Sequence, residues 1–192
     1  MPGNTRIPRA KLTGVRGAVV KRMSRRMFGA VPEPVEVVWH HPKVLTFSFG
    51  VGRAAQKWDR CDETLKTYAH MAVACLVGCG FCLDLGYFQA HNLGLDVAKA
   101  REVPRWRESD VFTPLERDVM AYAEAMTQTP PTVTDELSAR LLDALGPAAL
   151  VELTTYVAVA NFMTRSNTAM GVESQEFSAT CDLPPLAVPS RA

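Results

Sequence analysis

The stretch VACLVGCGFCLDLGYF, residues 73–88, sets three cysteines, Cys75, Cys79 and Cys82, into an otherwise apolar run. Upstream, Asp62 is followed by Leu65, Tyr68, Ala69, Ala72 and Leu76 at three- and four-residue steps. That spacing predicts a strongly apolar helix beginning at Asp62. Gly78 and Gly80 bracket Cys79, so one helix is expected to stop there and a second to start at once, running through Leu83, Tyr87 and Phe88 to about residues 92–94. Cys79 then sits at a cap position, with Cys82 about one turn inside the second helix.

Helical periodicity extends outward in both directions, and no segment reads as a convincing strand. Val15 to Phe28 alternates basic and apolar residues, VEVVWHH forms a short helix, and Pro42 opens the next. Val97 to Ala100 reads as a short helix, followed by the Pro-broken connector REVPRWRESD. Thr113-Pro114-Leu115-Glu116 caps a helix to about Met126. DELSARLLDALG closes at Gly146, and Pro147 begins the last long helix. The expectation is an all-α bundle of seven to nine helices. Its organisation is a basic arm over residues 1–27, a helical domain over 28–180 and a Pro-rich tail, expected to fray, over 181–192. The helices around residues 65–77 and 150–163 are apolar over too wide an arc for a wet side, which predicts burial all round or subunit contact.

The chain has 192 residues, 47% of them hydrophobic and 21% charged, as in an ordinary globular domain. Its longest apolar run, Met71 to Leu83, is too short to span a bilayer, so no membrane association is expected. The net charge of +1 conceals eight basic and no acidic residues among the first 26. No aromatic interleaving accompanies that charge, so the arm is expected to pack on an acidic body, its own or a sister subunit's, rather than on nucleic acid. Gly17 to Val20 is too short for the core of a secretory signal. Five cysteines, three of them crowded together, make a poor secreted disulfide framework and point to a cytoplasmic protein with local thiol chemistry.

Cys79-Gly80-Phe81-Cys82 is a C-x-x-C. At a helix start, free N–H groups and the positive dipole end stabilise a thiolate, and the second sulfur lies within reach for a disulfide. The flanking glycines are expected to leave the Cys79 sulfur little shielded. Two other readings stand beside this one: small buried hydrophobes on a core helix, and metal ligands. Cys75, Cys79 and Cys82 match the C-x-x-x-C-x-aromatic-C spacing of an iron–sulfur site, but Cys75 falls inside the apolar helix. A zinc site completed by His70 or His91 lacks a second closely spaced ligand pair.

A long apolar helix running into GCGFC at the start of the next resembles the carboxymuconolactone decarboxylase / alkylhydroperoxidase D-like family. FGAVPEPVEVVWHHPKVL upstream, with FTPLERDVMAYAEAMTQTPPTVTDEL and ANFMTRSNTAMGVESQEF downstream, extends the resemblance over roughly residues 28 to 180. The resemblance implies an all-α homo-oligomer, a dimer, trimer or hexamer. It further implies reduction of a small hydroperoxide or disulfide by the C-x-x-C, with no cofactor beyond the redox-active disulfide and a thiol reductant as partner. Cys82 would meet the oxidant and Cys79 resolve it.

Two positions depart from the family's peroxidase pattern. The histidine implied four residues after Cys82 is Gly86, and the glutamate implied twelve before Cys79 is Thr67. Those groups move protons, a contribution of roughly 10² to 10⁴ in rate. His70, nine residues before Cys79, is the candidate substitute. Asp84 is expected on the surface or at a subunit contact, Arg165 and Asn167 as helix ties, and His40-His41 as a cap or packing element. The leading expectation is a thiol-dependent oxidoreductase with Cys82, Cys79 and His70 at its site. The alternatives are a non-catalytic helical oligomer with structural or redox-sensing cysteines, and decarboxylase-like chemistry on a small molecule.

Overall fold

The computed structural model describes residues 5–189, and among them every regular element is helical. Eight α-helices follow in order: α1 Gly14–Phe28, α2 Glu33–Val38, α3 Pro42–Ala55, α4 Glu63–Val77, α5 Gly80–Asn92, α6 Val97–Glu102, α7 Pro114–Thr127 and α8 Asp135–Met170. Short 3₁₀ turns cover Val103–Arg105 and Ser178–Cys181. Residues 1–4 of the basic arm and 190–192 of the tail lie outside the described residues.

Local chemistry sets the boundaries. The Asp62 carboxylate accepts from the N–H groups of Thr64 and Leu65 and starts α4. Thr113 and Glu116 close a reciprocal capping box on α7. Gly78, at φ 77°, ends α4 in the left-handed conformation that a side chain would disfavour. Gly146 (φ 75°, ψ 166°) interrupts the otherwise continuous α8 and turns the chain just before Pro147.

Helix α4 lies at the centre, packed against α5, α7 and α8. Tyr68, Ala69, Met71, Val73 and Ala74 are fully enclosed, whereas Leu76 in its last turn is exposed, so the burial its apolar sequence predicts holds for the middle of the helix. Helix α8 is not buried all round, which leaves subunit contact as the other half of that expectation. Leu141, Leu153 and Val157 are buried, but Val151 and Phe162 lie exposed, and Phe162 stacks edge-on with exposed Phe47 of α3. By length and composition α8 could cross a membrane. Its buried stripe nevertheless packs within the bundle, as a core helix does.

One buried charge cluster joins the start of α4 to α8. The Lys66 ammonium sits 2.9 Å from the Glu63 carboxylate and 3.1 Å from that of Glu152, and it donates to the Trp58 carbonyl at 2.7 Å. Burial alone would lower the Lys66 pKa and raise that of Glu152. The hydrogen bonds of Lys66 to Glu63 and Glu152 outweigh this for the lysine. For the glutamate, the Arg60 N–H and Lys66 do so.

The arm and tail both touch the body. Arg9 pairs with Glu33 and Glu36, and Arg6 donates to the carbonyls of Thr168 and Ala169 at the end of α8. Arg101 donates to the Pro185 carbonyl, and the Ala187 N–H donates back to the Arg101 carbonyl.

Candidate functional site: the Cys79–Cys82 pair

Cys79 is the N-cap of α5, and its sulfur accepts the Cys82 N–H at 3.3 Å. The two cysteines are bonded as a disulfide across the first helical turn, with Cα atoms 5.3 Å apart. The expected juxtaposition at a helix start is therefore present. Two of the three remaining thiols differ in kind. Burial, followed by the Glu152 charge, pushes the Cys61 pKa up to about 11, and burial raises that of Cys75. The Cys75 sulfur faces the Pro104 carbonyl at 4.0 Å, a contact of the α4 side rather than of the pair.

The expected exposure is absent. Cys79 is 1% and Cys82 2% exposed, enclosed with Ala74, Phe81, Phe88, Val172 and Phe177 in one apolar cluster. The flanking glycines are themselves exposed, and a Cβ on Gly78 would meet nothing within 4 Å, yet the sulfurs lie on the inner side, beneath the apolar cluster. A Cβ on Gly80 would sit 3.8 Å from Ser174.

Val172, Ser174 and Phe177 come from the segment after α8. Asp84, expected at the surface, is 5% exposed and holds this segment in place. Its carboxylate accepts from the N–H groups of Phe177 (2.7 Å) and Ser178 (3.1 Å) and from the hydroxyls of Ser178 (2.5 Å) and Ser174 (3.2 Å). A buried carboxylate satisfied by four donors is an anchor. Asn167 ties α8 to α5, and it does so at the pair itself: its amide donates to the Cys82 sulfur at 3.4 Å. Arg165 does tie helices, donating to the Thr127 carbonyl and to Asn161. His41 caps α3 by accepting the Val44 N–H, and His40 contacts the Pro8 carbonyl.

His70 reaches the site from α4, its Nε2 3.2 Å from the Cys82 carbonyl oxygen rather than from the sulfur. Desolvation lowers its pKa, and the bond to that carbonyl only partly opposes this, so the ring is held neutral. The same ring bears on Gly86. A Cβ there would stand 2.7 Å from Met71 Cγ and 3.3 Å from His70 Cδ2. Helices α4 and α5 thus approach so closely at Gly86 that His70 and Met71 leave no room for the histidine the resemblance implies.

A neutral, partly buried histidine has a stability consequence. Below its ordinary value of 6.5 the unfolded chain binds a proton that the folded chain refuses, so stability falls as pH falls. Urea unfolding at pH 7.5 and 5.5 is expected to show a His70-dependent loss of at most about 1.4 kcal/mol per pH unit. His70→Gln should remove that component, and an unchanged pH dependence in the variant would refute the assignment.

Comparison with known proteins agrees with this architecture. The model of the "Carboxymuconolactone decarboxylase family" matches residues 42–125. The Escherichia coli (strain K12) protein YnjA, itself uncharacterised, is 31% identical over 154 residues, spanning 80% of this chain and 85% of its own. Among solved structures, a Cys-to-Ala variant of the debrominase Bmp8 in complex with 2,3,4-tribromopyrrole superposes with a TM-score of 0.78 at 19% identity. That match covers 93% of this chain and 98% of the other. An alkylhydroperoxidase AhpD core, an uncharacterised peroxidase-related protein from Ralstonia eutropha JMP134, superposes with a TM-score of 0.74 at 14% identity, covering 88% and 93%. The helix succession around GCGFC, the matched helical core and the identity with YnjA agree: this chain belongs to the carboxymuconolactone decarboxylase family and has the AhpD-like helical fold.

Proposed function

We propose that the protein is a thiol-dependent oxidoreductase acting on small hydroperoxides or disulfides through the Cys79–Cys82 pair. The observation that carries this reading is a disulfide spanning the first turn of α5, with Cys79 at the N-cap. In the reduced protein the Cys82 thiolate, supported by the Asn167 amide, attacks the terminal oxygen of a hydroperoxide. The S–O bond forms, the O–O bond breaks, and the alkoxide leaves as alcohol after taking a proton. Cys79 then attacks the Cys82 sulfenic acid, expelling water and forming the disulfide. An external dithiol supplies two electrons and two protons to restore both thiols. During that step the leaving Cys79 thiolate is stabilised by the Cys82 N–H and the helix terminus.

His70 is a positioning residue in this scheme. It holds the Cys82 carbonyl, and hence the first turn of α5, from the neighbouring helix. Exposed Phe47, Val151 and Phe162 support self-association into a homo-oligomer. A cytoplasmic setting, where dithiol reductants operate, belongs to the same reading.

The burial of both sulfurs favours a second reading, in which the disulfide is structural or senses oxidants without turnover. The two separate on treatment of reduced protein with one equivalent of hydroperoxide. The oxidoreductase reading expects loss of two thiols, one equivalent of alcohol, a Cys79–Cys82-linked peptide by mass spectrometry and restoration by dithiothreitol over repeated cycles. Peroxide consumed no faster than by free thiol would sink the oxidoreductase reading.

A further inference from the structure

Residues 171–181 differ in construction from the bundle they cover. Between the end of α8 and the 3₁₀ turn at Ser178 the segment has no regular structure, and side-chain carboxylates accept several of its backbone N–H groups. Asp84 receives those of Phe177 and Ser178, and Glu33 that of Glu173 at 3.3 Å. Glu33 in turn donates its own N–H to the Gln175 side chain at 2.6 Å. Glu176 (φ 56°) and Asp182 (φ 54°) both occupy the left-handed region, which is uncommon for residues with a side chain. A segment fixed at a few discrete points, with one such residue inside it and the other just past its end, is suited to local release with the bundle intact.

The segment contributes Val172 and the phenyl ring of Phe177 to the apolar cluster that encloses the sulfurs. Phe177 packs against Phe28, Phe81 and Phe88, with centroids 6.1, 5.9 and 6.0 Å away, in the cluster that holds Cys79 and Cys82. Removing Phe177 would leave a phenyl-sized slot walled by three aromatic side chains beside the disulfide. Those walls offer tilted and edge-on contacts to a ring and little hydrogen bonding to water or hydrogen peroxide. We propose that residues 171–181 are a displaceable strap latched by Asp84, and that the slot filled by Phe177 receives the aromatic group of an organic hydroperoxide substrate.

The substrate class rests on the oxidoreductase reading, so the test is read on the thiols without turnover. Reduced full-length protein is alkylated with iodoacetamide and labelling is followed on the Cys79–Cys82 peptide. Losing bonds to the charged latch should raise the open population, and with it the labelling rate, by about tenfold or more in Asp84→Asn. Ser178→Ala, which removes one hydroxyl donor and leaves the acid, should move the rate in the same direction by a smaller factor and guards against a misfolded Asp84 variant. In Phe177→Ala the pair should label faster, and 2-phenyl-2-propanol, the product alcohol of cumene hydroperoxide, should slow that labelling where tert-butanol does not. Wild-type labelling rates in Asp84→Asn and Ser178→Ala would overturn the strap. Equal protection, or none, by the two alcohols would overturn the aromatic slot. Faster labelling and selective protection in a protein that turns over no peroxide would uphold both and remove the oxidoreductase reading alone.

Discussion

Cys82→Ser is expected to abolish peroxide reduction, with a loss on the order of 10³-fold or more, because no other group on the first turn of α5 can take its place as nucleophile. A serine hydroxyl there would meet the same Asn167 amide, but neutral pH leaves it protonated and unreactive toward the O–O bond. Cys79→Ser should behave differently. The first oxidation proceeds, one equivalent of alcohol is released, and the chain stops as a Cys82 sulfenic acid with nothing to resolve it. A stopped-flow burst of one equivalent without turnover, with the sulfenic acid trapped by dimedone, is the signature. If Cys79→Ser loses the burst while Cys82→Ser keeps it, the roles are reversed. If both variants turn over at the wild-type rate, the pair is not the reactive centre. Cys61 and Cys75 are poor replacements, their thiols being held protonated by burial.

Lys66→Met carries the largest expected cost in stability. Lys66 is 1% exposed and Glu152 is also buried, and the ammonium neutralises Glu152 while binding Glu63 and the Trp58 carbonyl. Methionine fills most of the volume but leaves the Glu152 carboxylate enclosed with only backbone donors such as the Arg60 N–H. Stranding one member of a buried ion pair costs about 3–5 kcal/mol, a large part of the roughly 5–15 kcal/mol that holds a domain together. In a chain of this length that corresponds to a fall of about 6–20 °C in Tm. The double variant Lys66→Met/Glu152→Met should recover much of the loss, since replacing both charges by packed apolar groups is often near neutral. Urea denaturation of the single and double variants checks both statements. A single-variant loss below about 1 kcal/mol would show that water reaches the pair.

The helical order and the site's position were legible because local chemistry decides them. Gly78 could be read as a stop from its freedom at positive φ, Asp62 and Thr113 as starts from their capping oxygens, and Cys79 as a cap from its place after Gly78. The burial of the sulfurs was not legible in the same way. Glycines on either side of Cys79 say only that sequence neighbours do not cover it. Val172 and Phe177, which do, come from the far end of the chain. Asp84 was misread for a related reason. Its angle on α5 turns it away from Cys82, and only the return of residues 174–178, some ninety positions later, converts that outward face into an interior. The Asn167 contact has the same long-range origin. Which face of α8 stays open in the single chain could not be read from its all-round apolar sequence, which distinguishes neither burial within the bundle nor contact with another subunit.

The missing Cβ at Gly86 makes three positions on two helices share one volume. Adding a side chain there would require Met71 Cγ to yield by several tenths of an ångström and the His70 ring to move as well. An imidazole could be carried by either helix at this crossing, but not by both. Relatives with a histidine at the position of Gly86 should therefore carry something slimmer opposite it, and a grafted histidine here should be accepted only after His70 and Met71 are trimmed.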